Sequence, residues 1–436
     1  MKSSIARQTI SPGRTLLTGF MLLIVLIGVV GVAAAQDSGA PITNPALAAQ
    51  MDDLVLITER VRGLDTLEPV ERRFPTRAEV IAYISDLYAT ELPPEEWARL
   101  TRFYVALGLL GPDIDLAATF LDLLGSQVAG FYDTDTRLMN VVPVSGDGPG
   151  DGLSFSEQII FIHEYTHALQ DQHYDLAALL EASADLPLDQ GMAQLALIEG
   201  DASAVMNIYS QRVIETNPLA SLALIIEGLQ AGNLFLPEGI PAALARELLF
   251  PYEEGLVFVV ALLDAGDGWE QVEAAYADLP QTTEQILHPE KYLAGEGAVE
   301  VVGVTLSDQL GDAWVIDWDM PLGEFYLREH LRAQLDLLTA RQAAAGWGGD
   351  RFQLAHNPAT GAIVWTLALA WDTPADAVEF AAAYAAWGAA RFGAAADADG
   401  CWSGAGAAIC ARADADGSLI TAAPTRALAF DLLAAE

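Results

Sequence analysis

Residues 163–167 read His-Glu-Tyr-Thr-His, a His-Glu-x-x-His pentad set in an apolar stretch with the period of a helix. On a helix, residues four apart lie about 40° apart in azimuth and about 6 Å apart along the axis. Both imidazoles therefore project from one face, close enough to hold one tetrahedral metal ion, with Glu164 beside them and not among the ligands. Any fold for this chain must bury a helix that carries this polar trio. Phe155, Ile159, Ile160, Ile162, Ala168 and Leu169 supply its apolar faces. Ser154 and Glu157 stand at capping-box positions ahead of it, after a glycine-rich loop at 146–152. The competing reading is a buried structural histidine pair.

Two histidines leave a catalytic zinc short of its usual third protein ligand. His173 follows His167 by six residues, but no glycine at position 170 lets the chain turn back; on a continuing helix it lies about 15 Å from His163 along the axis. Glu199 lies on a separate helical stretch after Leu195, Ala196, Leu197 and Ile198, an apolar setting in which a lone charge is costly. Glu199 is the preferred third ligand, with His173, Glu181 and Asp185 as alternatives. Asp171 and Asp201 are candidates for the acceptors that fix the imidazole tautomers.

The first 35 residues read as a targeting segment. Lys2, Arg7 and Arg14 form a basic region, an uncharged apolar run follows, and Ala33-Ala34-Ala35 offers a small-residue cleavage site. An uncleaved N-terminal anchor is the alternative, and it is the one membrane contact expected. Either way the body of the chain is expected outside the cytoplasm. A formal net charge of −39 excludes nucleic acid and anionic membrane surfaces as partners. Cys401 and Cys410 are the two cysteines, and in an oxidising compartment they are expected to form a local disulfide across a hairpin.

The fold class expected is α+β. Residues 45–297 form a predominantly helical domain with a small hairpin or sheet, and 298–436 a C-terminal α+β module. Helices are expected at 51–61, 77–88 (with Thr76 as cap), 94–109, 189–213, 241–263 and 269–277. Gly130-Phe131-Tyr132-Asp133 and Leu138-Met139-Asn140-Val141-Val142 flank a turn and read as a hairpin ahead of the pentad helix. In the C-terminal module, strands are expected at 299–305 and 313–318, a helix at 323–345, a hairpin at 351–355 and 362–371, and a helix at 375–387.

Residues 163–171, followed by Leu197-Ile198-Glu199-Gly200-Asp201-Ala202, resemble the gluzincin branch of zinc metallopeptidases, the group related to thermolysin. More closely, the chain is similar to secreted bacterial proteins whose metal helix reads His-Glu-x-x-His-Ala-Leu-Gln-Asp-Gln. Those proteins also carry a Gly-Phe-Tyr-Asp hairpin, matched at Gly130–Asp133, and a Glu-Gln-Ile-Leu-His-Pro segment, matched at 284–289. The likeness spans about residues 50–295, and more loosely 346–350. The chain departs from thermolysin in setting Glu199 within Glu-Gly-Asp-Ala.

The resemblance implies one catalytic Zn2+ on His163, His167 and Glu199, with Glu164 as general base toward peptide substrates. It also implies an oxyanion donor, for which Tyr252, His288 and Tyr292 are the candidates. A substrate-pairing edge strand ahead of the metal helix is expected at Asn140 and Val141. The alternative is a zinc-binding scaffold of the envelope or extracellular space without proteolytic activity. Retention of Glu164 favours the hydrolase.

Overall fold

The computed structural model describes residues 40–41, 44–127, 130–142, 151–183, 186–217, 239–404, 406–414 and 417–435; the targeting segment expected at 1–35 lies outside them. A short strand, β1 (Ala40–Pro41), leads into α1 (Pro45–Arg62), whose start is capped by the Asn44 side chain. Next come β2 (Glu71–Phe74), α2 (Arg77–Glu91), α3 (Pro94–Ala106) and α4 (Leu116–Gln127). Thr76 accepts from the Glu79 backbone N–H at the start of α2. The expected hairpin follows as β3 (Gly130–Asp133) and β4 (Leu138–Val141). The four strands form one sheet in the order β1-β2-β4-β3, with β2 parallel to β4 and β3 antiparallel to it.

The pentad helix α5 (Phe155–Tyr174) opens on a complete capping box between Ser154 and Glu157 and ends at Asp175 in the left-handed region. Its apolar face, with Phe161, Ile162, Tyr165, Ala168 and Leu169, packs on Leu47, Met51 and Leu54 of α1 and on Met139 and Val141 of β4. Each such side chain contributes roughly 1.5–3 kcal/mol by leaving water. After α6 (Leu176–Ser183) runs α7 (Leu188–Thr216), then α8 (Ala242–Ala265), α9 (Glu270–Ala277), α10 (Thr283–Leu287) and α11 (Pro289–Leu293). Helices α7 and α8 meet almost backbone to backbone. A methyl on Gly200 would collide with the carbonyl of Gly255, and one on Gly255 with the carbonyl of Ala196.

The C-terminal module adds α12 (Leu306–Gln309), β5 (Val315–Met320), α13 (Gly323–Arg332), α14 (Leu337–Ala344), β6 (Trp347–His356), β7 (Ile363–Trp371) and α15 (Pro374–Phe392). It closes with β8 (Cys401–Gly404), β9 (Ala407–Asp414), β10 (Gly417–Ala423) and α16 (Arg426–Leu433). Its sheet is antiparallel throughout, in the order β5-β6-β7-β10-β9-β8. Cys401 and Cys410 stand directly opposite on β8 and β9 and are joined by a disulfide. The chain is therefore α+β, as its patterning implies.

Three expectations fail locally. Residues 299–305 form no strand, although Val299 N–H does donate to the Gly348 carbonyl. The helix expected at 323–345 is two helices, because Asp336 caps a new one by accepting from Thr339 N–H. β2 lies where only helix was expected; its Glu-Arg-Arg-Phe sequence lacks alternation and becomes a strand by pairing with β4.

The two modules share one apolar core, which runs from Phe103 and Tyr104 of α3 to Phe325, Phe352 and Trp365 beyond the boundary. Tyr104 and Tyr326 both donate to the buried Glu247 carboxyl, whose pKa burial pushes up to about 8. Arg102 forks onto Asp317 at 2.6 and 2.9 Å. The first turn of α7 is seated at this junction, where Asp189 accepts from Thr283 N–H at 3.0 Å and from the Thr283 hydroxyl. Gly323 closes over Asp189 at φ +82°, and a Cβ there would run into the carboxylate. Gly323→Ala is expected to cost about 3 kcal/mol, from the left-handed backbone and the overlap together. A thermal unfolding midpoint equal to that of the parent chain would refute this seating.

Candidate metal centre

Helix α5 presents His163 and His167 one turn apart, with ring centroids 4.8 Å apart and planes at 87°. Glu199, from the middle of α7, meets them. His163 Nε2 lies 3.1 Å and His167 Nε2 3.3 Å from Glu199 Oε2, and the two imidazole nitrogens are 3.2 Å apart. Ligands about 2.0 Å from a tetrahedral zinc are separated by about 3.3 Å, the edge of that tetrahedron. The three atoms thus have the spacing of three corners of one coordination shell. Among the described residues this is the one group of three or more metal-ligating side chains so converged.

The electrostatics follow from burial. Burial alone would raise the Glu199 carboxyl, but the two imidazoles beside it hold it well below the ordinary range. Burial pushes the His163 imidazole down; at His167 the pull of Glu199 outweighs burial and raises it. Glu199 Oε1 is buried and has no hydrogen-bond partner among the described residues. Two imidazoles, a carboxylate and an unpartnered buried oxygen fit a divalent zinc-like cation.

Glu164, next along the helix, is buried and its Oε2 accepts from the Tyr132 N–H of β3 at 3.0 Å. Burial raises its pKa to about 8. Tyr252 comes in from α8, its ring 5.9 Å from that of His163. Burial, then the nearby Glu199 and Glu164 charges, keep its phenol protonated.

Behind the triad lies a buried polar chain. His167 Nδ1 is 2.7 Å from Gln170 Oε1, and the Gln170 amide donates to the Ile198 carbonyl at 3.0 Å and to Asp201 Oδ2 at 3.2 Å. Asp201 also accepts from the Tyr276 hydroxyl at 2.9 Å and from Arg62 Nε at 2.7 Å. Arg62 is wholly buried, its guanidinium 4.5 Å from the centre of the Trp269 ring. Removing one partner of such a buried pair costs about 3–5 kcal/mol.

The structure redistributes several residues singled out by sequence. Asp201 reaches His167 only through Gln170. Asp171 does not contact the imidazoles; it accepts from the Tyr132 hydroxyl and from Ala177 N–H, because it points to the hairpin side of α5. His173 faces away and bonds the Asp65 carbonyl at 2.8 Å. Glu181 is exposed on α6, and Asp185 lies outside the described residues.

Asn140 and Val141 are not on an edge. β4 is flanked on both sides, with Asn140 opposite both Phe131 and Arg73, because β2 occupies the side expected to be open. The edge next to Glu164 is β3. His288 is not at the triad either. Its Nε2 pairs with Glu324 at 3.1 Å at the module junction, while Tyr292 donates to the Asp278 carbonyl. Both the 284–289 segment and the Gly-Trp-Gly-Gly-Asp segment at 346–350 border that junction, where Lys291 also pairs with Asp372 and Gly323 closes over Asp189. Glu284 pairs with Lys291, and Asp350 accepts from Leu322 N–H, Gly323 N–H and Trp347 Nε1.

Sequence reasoning missed Gln170 and Arg62. Gln170 had a readable signal, since a side chain three residues after His167 shares its helix face. Arg62 had none, because its partner lies 139 residues away.

Residues 308–433 match a family described as "Domain of unknown function (DUF8575)", which covers the C-terminal module and none of the triad. No curated protein and no solved structure matches the chain.

Proposed function

We propose that the chain is an exported zinc metallopeptidase of gluzincin type, with His163, His167 and Glu199 as zinc ligands and Glu164 as general base. The observation that carries this reading is the tetrahedral-edge spacing of the three donor atoms, with Glu164 following directly on the same helix. A zinc ion held by this set supplies Lewis acidity toward a water molecule and a substrate carbonyl. Glu164, beside the two histidines on the same helix, would take the water proton and return it to the leaving amine. The Tyr252 hydroxyl is the donor assigned to the developing oxyanion. The disulfide supports an oxidising, extracytoplasmic setting. Among the described residues, no helix is long and apolar enough to cross a membrane.

The test pairs metal content with hydrolysis of a fluorescently quenched unfolded protein. The parent chain is expected to hold stoichiometric zinc and cleave, with cleavage abolished by chelation. Glu164→Gln is expected to keep the zinc and lose at least about a hundredfold in rate. Zinc retained without cleavage in the parent would favour the non-proteolytic scaffold; absence of zinc would overturn the metal reading itself.

A further inference from the structure

We infer that Gln170 is a positioning residue for the metal centre. Its side-chain amide is locked in one orientation from behind, and this lock commits the His167 lone pair to the triad. The inference rests on the metal reading given above and adds the device that sets the affinity of that site.

An amide has two distinguishable ends, a carbonyl that accepts and an NH2 that donates. The NH2 end of Gln170 faces two groups that can only accept, the Ile198 carbonyl and the Asp201 carboxylate. Flipping the amide would set oxygen against oxygen at both contacts, in a site where Gln170 is fully buried. The Gln170 oxygen is therefore held toward His167 at 2.7 Å. An acceptor fixed at that nitrogen requires Nδ1 to carry a proton. The Nε2 lone pair then points at His163 and Glu199, where a metal ligand needs it.

Asp201 is in turn held in place by the wholly buried Arg62 and by the Tyr276 hydroxyl. The orientation of one ligand is thus set by a side chain of α1. Among the described residues His163 has no counterpart to this arrangement, since its buried Nδ1 finds no partner there.

Zinc affinity of the full chain, measured by competition with a chromophoric chelator, tests the idea. Gln170→Leu is expected to weaken binding about tenfold to hundredfold. Asp201→Asn is the near-isosteric second variant. With its oxygen committed to Arg62, the new amide turns a donor toward the Gln170 NH2, and affinity is expected to fall about tenfold with the ligands untouched.

The spectroscopic readout uses selective 15N labelling of the six histidines. The metal-free parent is expected to show a hydrogen-bonded His167 Nδ1 proton, slow to exchange, which Gln170→Leu removes. Parent-like zinc affinity in both variants overturns the inference, as does absence of that proton in the parent chain. A parent chain that binds no zinc but shows the proton defeats the metal reading, and with it the positioning role, while leaving only the amide lock on His167.

Discussion

Glu199→Ala is expected to strip the chain of its zinc. The carboxylate is one of three donors, it comes from a different helix than the other two, and no described acid or histidine stands close enough to replace it. The loss should exceed the roughly tenfold to hundredfold that removal of an imidazole's outer partner costs. Glu199→Gln keeps the shape of the site and serves as the control for folding. It should fold like the parent and still bind zinc poorly, because an amide oxygen is a weak ligand beside a carboxylate. His173→Ala should retain full zinc, since that ring is engaged with the Asp65 carbonyl. Metal analysis after exhaustive dialysis reads all three. Full zinc in Glu199→Ala together with loss in His173→Ala would reverse the ligand assignment.

Gly200→Ala should be nearly as damaging, although no ligand is changed. The added methyl has nowhere to go, because the carbonyl of Gly255 on α8 occupies its place. Helix α8 must move away or α7 must rotate. Either motion shifts Glu199, the preceding residue, relative to α5, and separates Tyr252 from His163. Overpacking of this kind, against backbone on both sides, is expected to cost about 3 kcal/mol or more. Zinc affinity should fall with it. Gly255→Ala should behave alike, since its methyl would strike the Ala196 carbonyl. Gly297→Ala is the control, because open space surrounds that position. If Gly200→Ala unfolds and binds zinc as the parent does, the close approach of α7 and α8 is not what aligns the site.

The Glu-Gly-Asp-Ala run thereby acquires a reading. Glu199 faces the triad, Gly200 admits the neighbouring helix, and Asp201 anchors the amide behind His167. The first role was legible in the sequence, because a carboxylate embedded in an apolar helical stretch demands a partner. The pentad was legible because helical spacing alone puts its two rings together. The other roles depend on which helix faces which, and that is decided by long-range packing. The sequence points to Asp171 as an outer acceptor because it lies one turn beyond His167 on the same helix. The structure turns Asp171 toward the hairpin, and the uncharged neighbour makes the contact. His288 is a candidate because the resemblance implies a Tyr or His donor, yet here it ties two modules together through Glu324. The strand at Asn140 and Val141 forms as expected, but it is not an edge, because β2, rich in charge and without alternation, gives no sign of itself until β4 lies beside it.

The seating of α7 on the C-terminal module bears on the order of events during synthesis. By the time residue 199 has been made, all three donor side chains exist. The groups that hold α7 do not, since Asp189 waits for Thr283 and Gly323, and the amide lock waits for Tyr276 to join Arg62 on Asp201. The growing chain therefore carries a full set of donors, without the contacts that fix them, for a long stretch of elongation after residue 199. On the proposed function, a metal ion would find its finished site only after residue 323 has been made and has closed over Asp189.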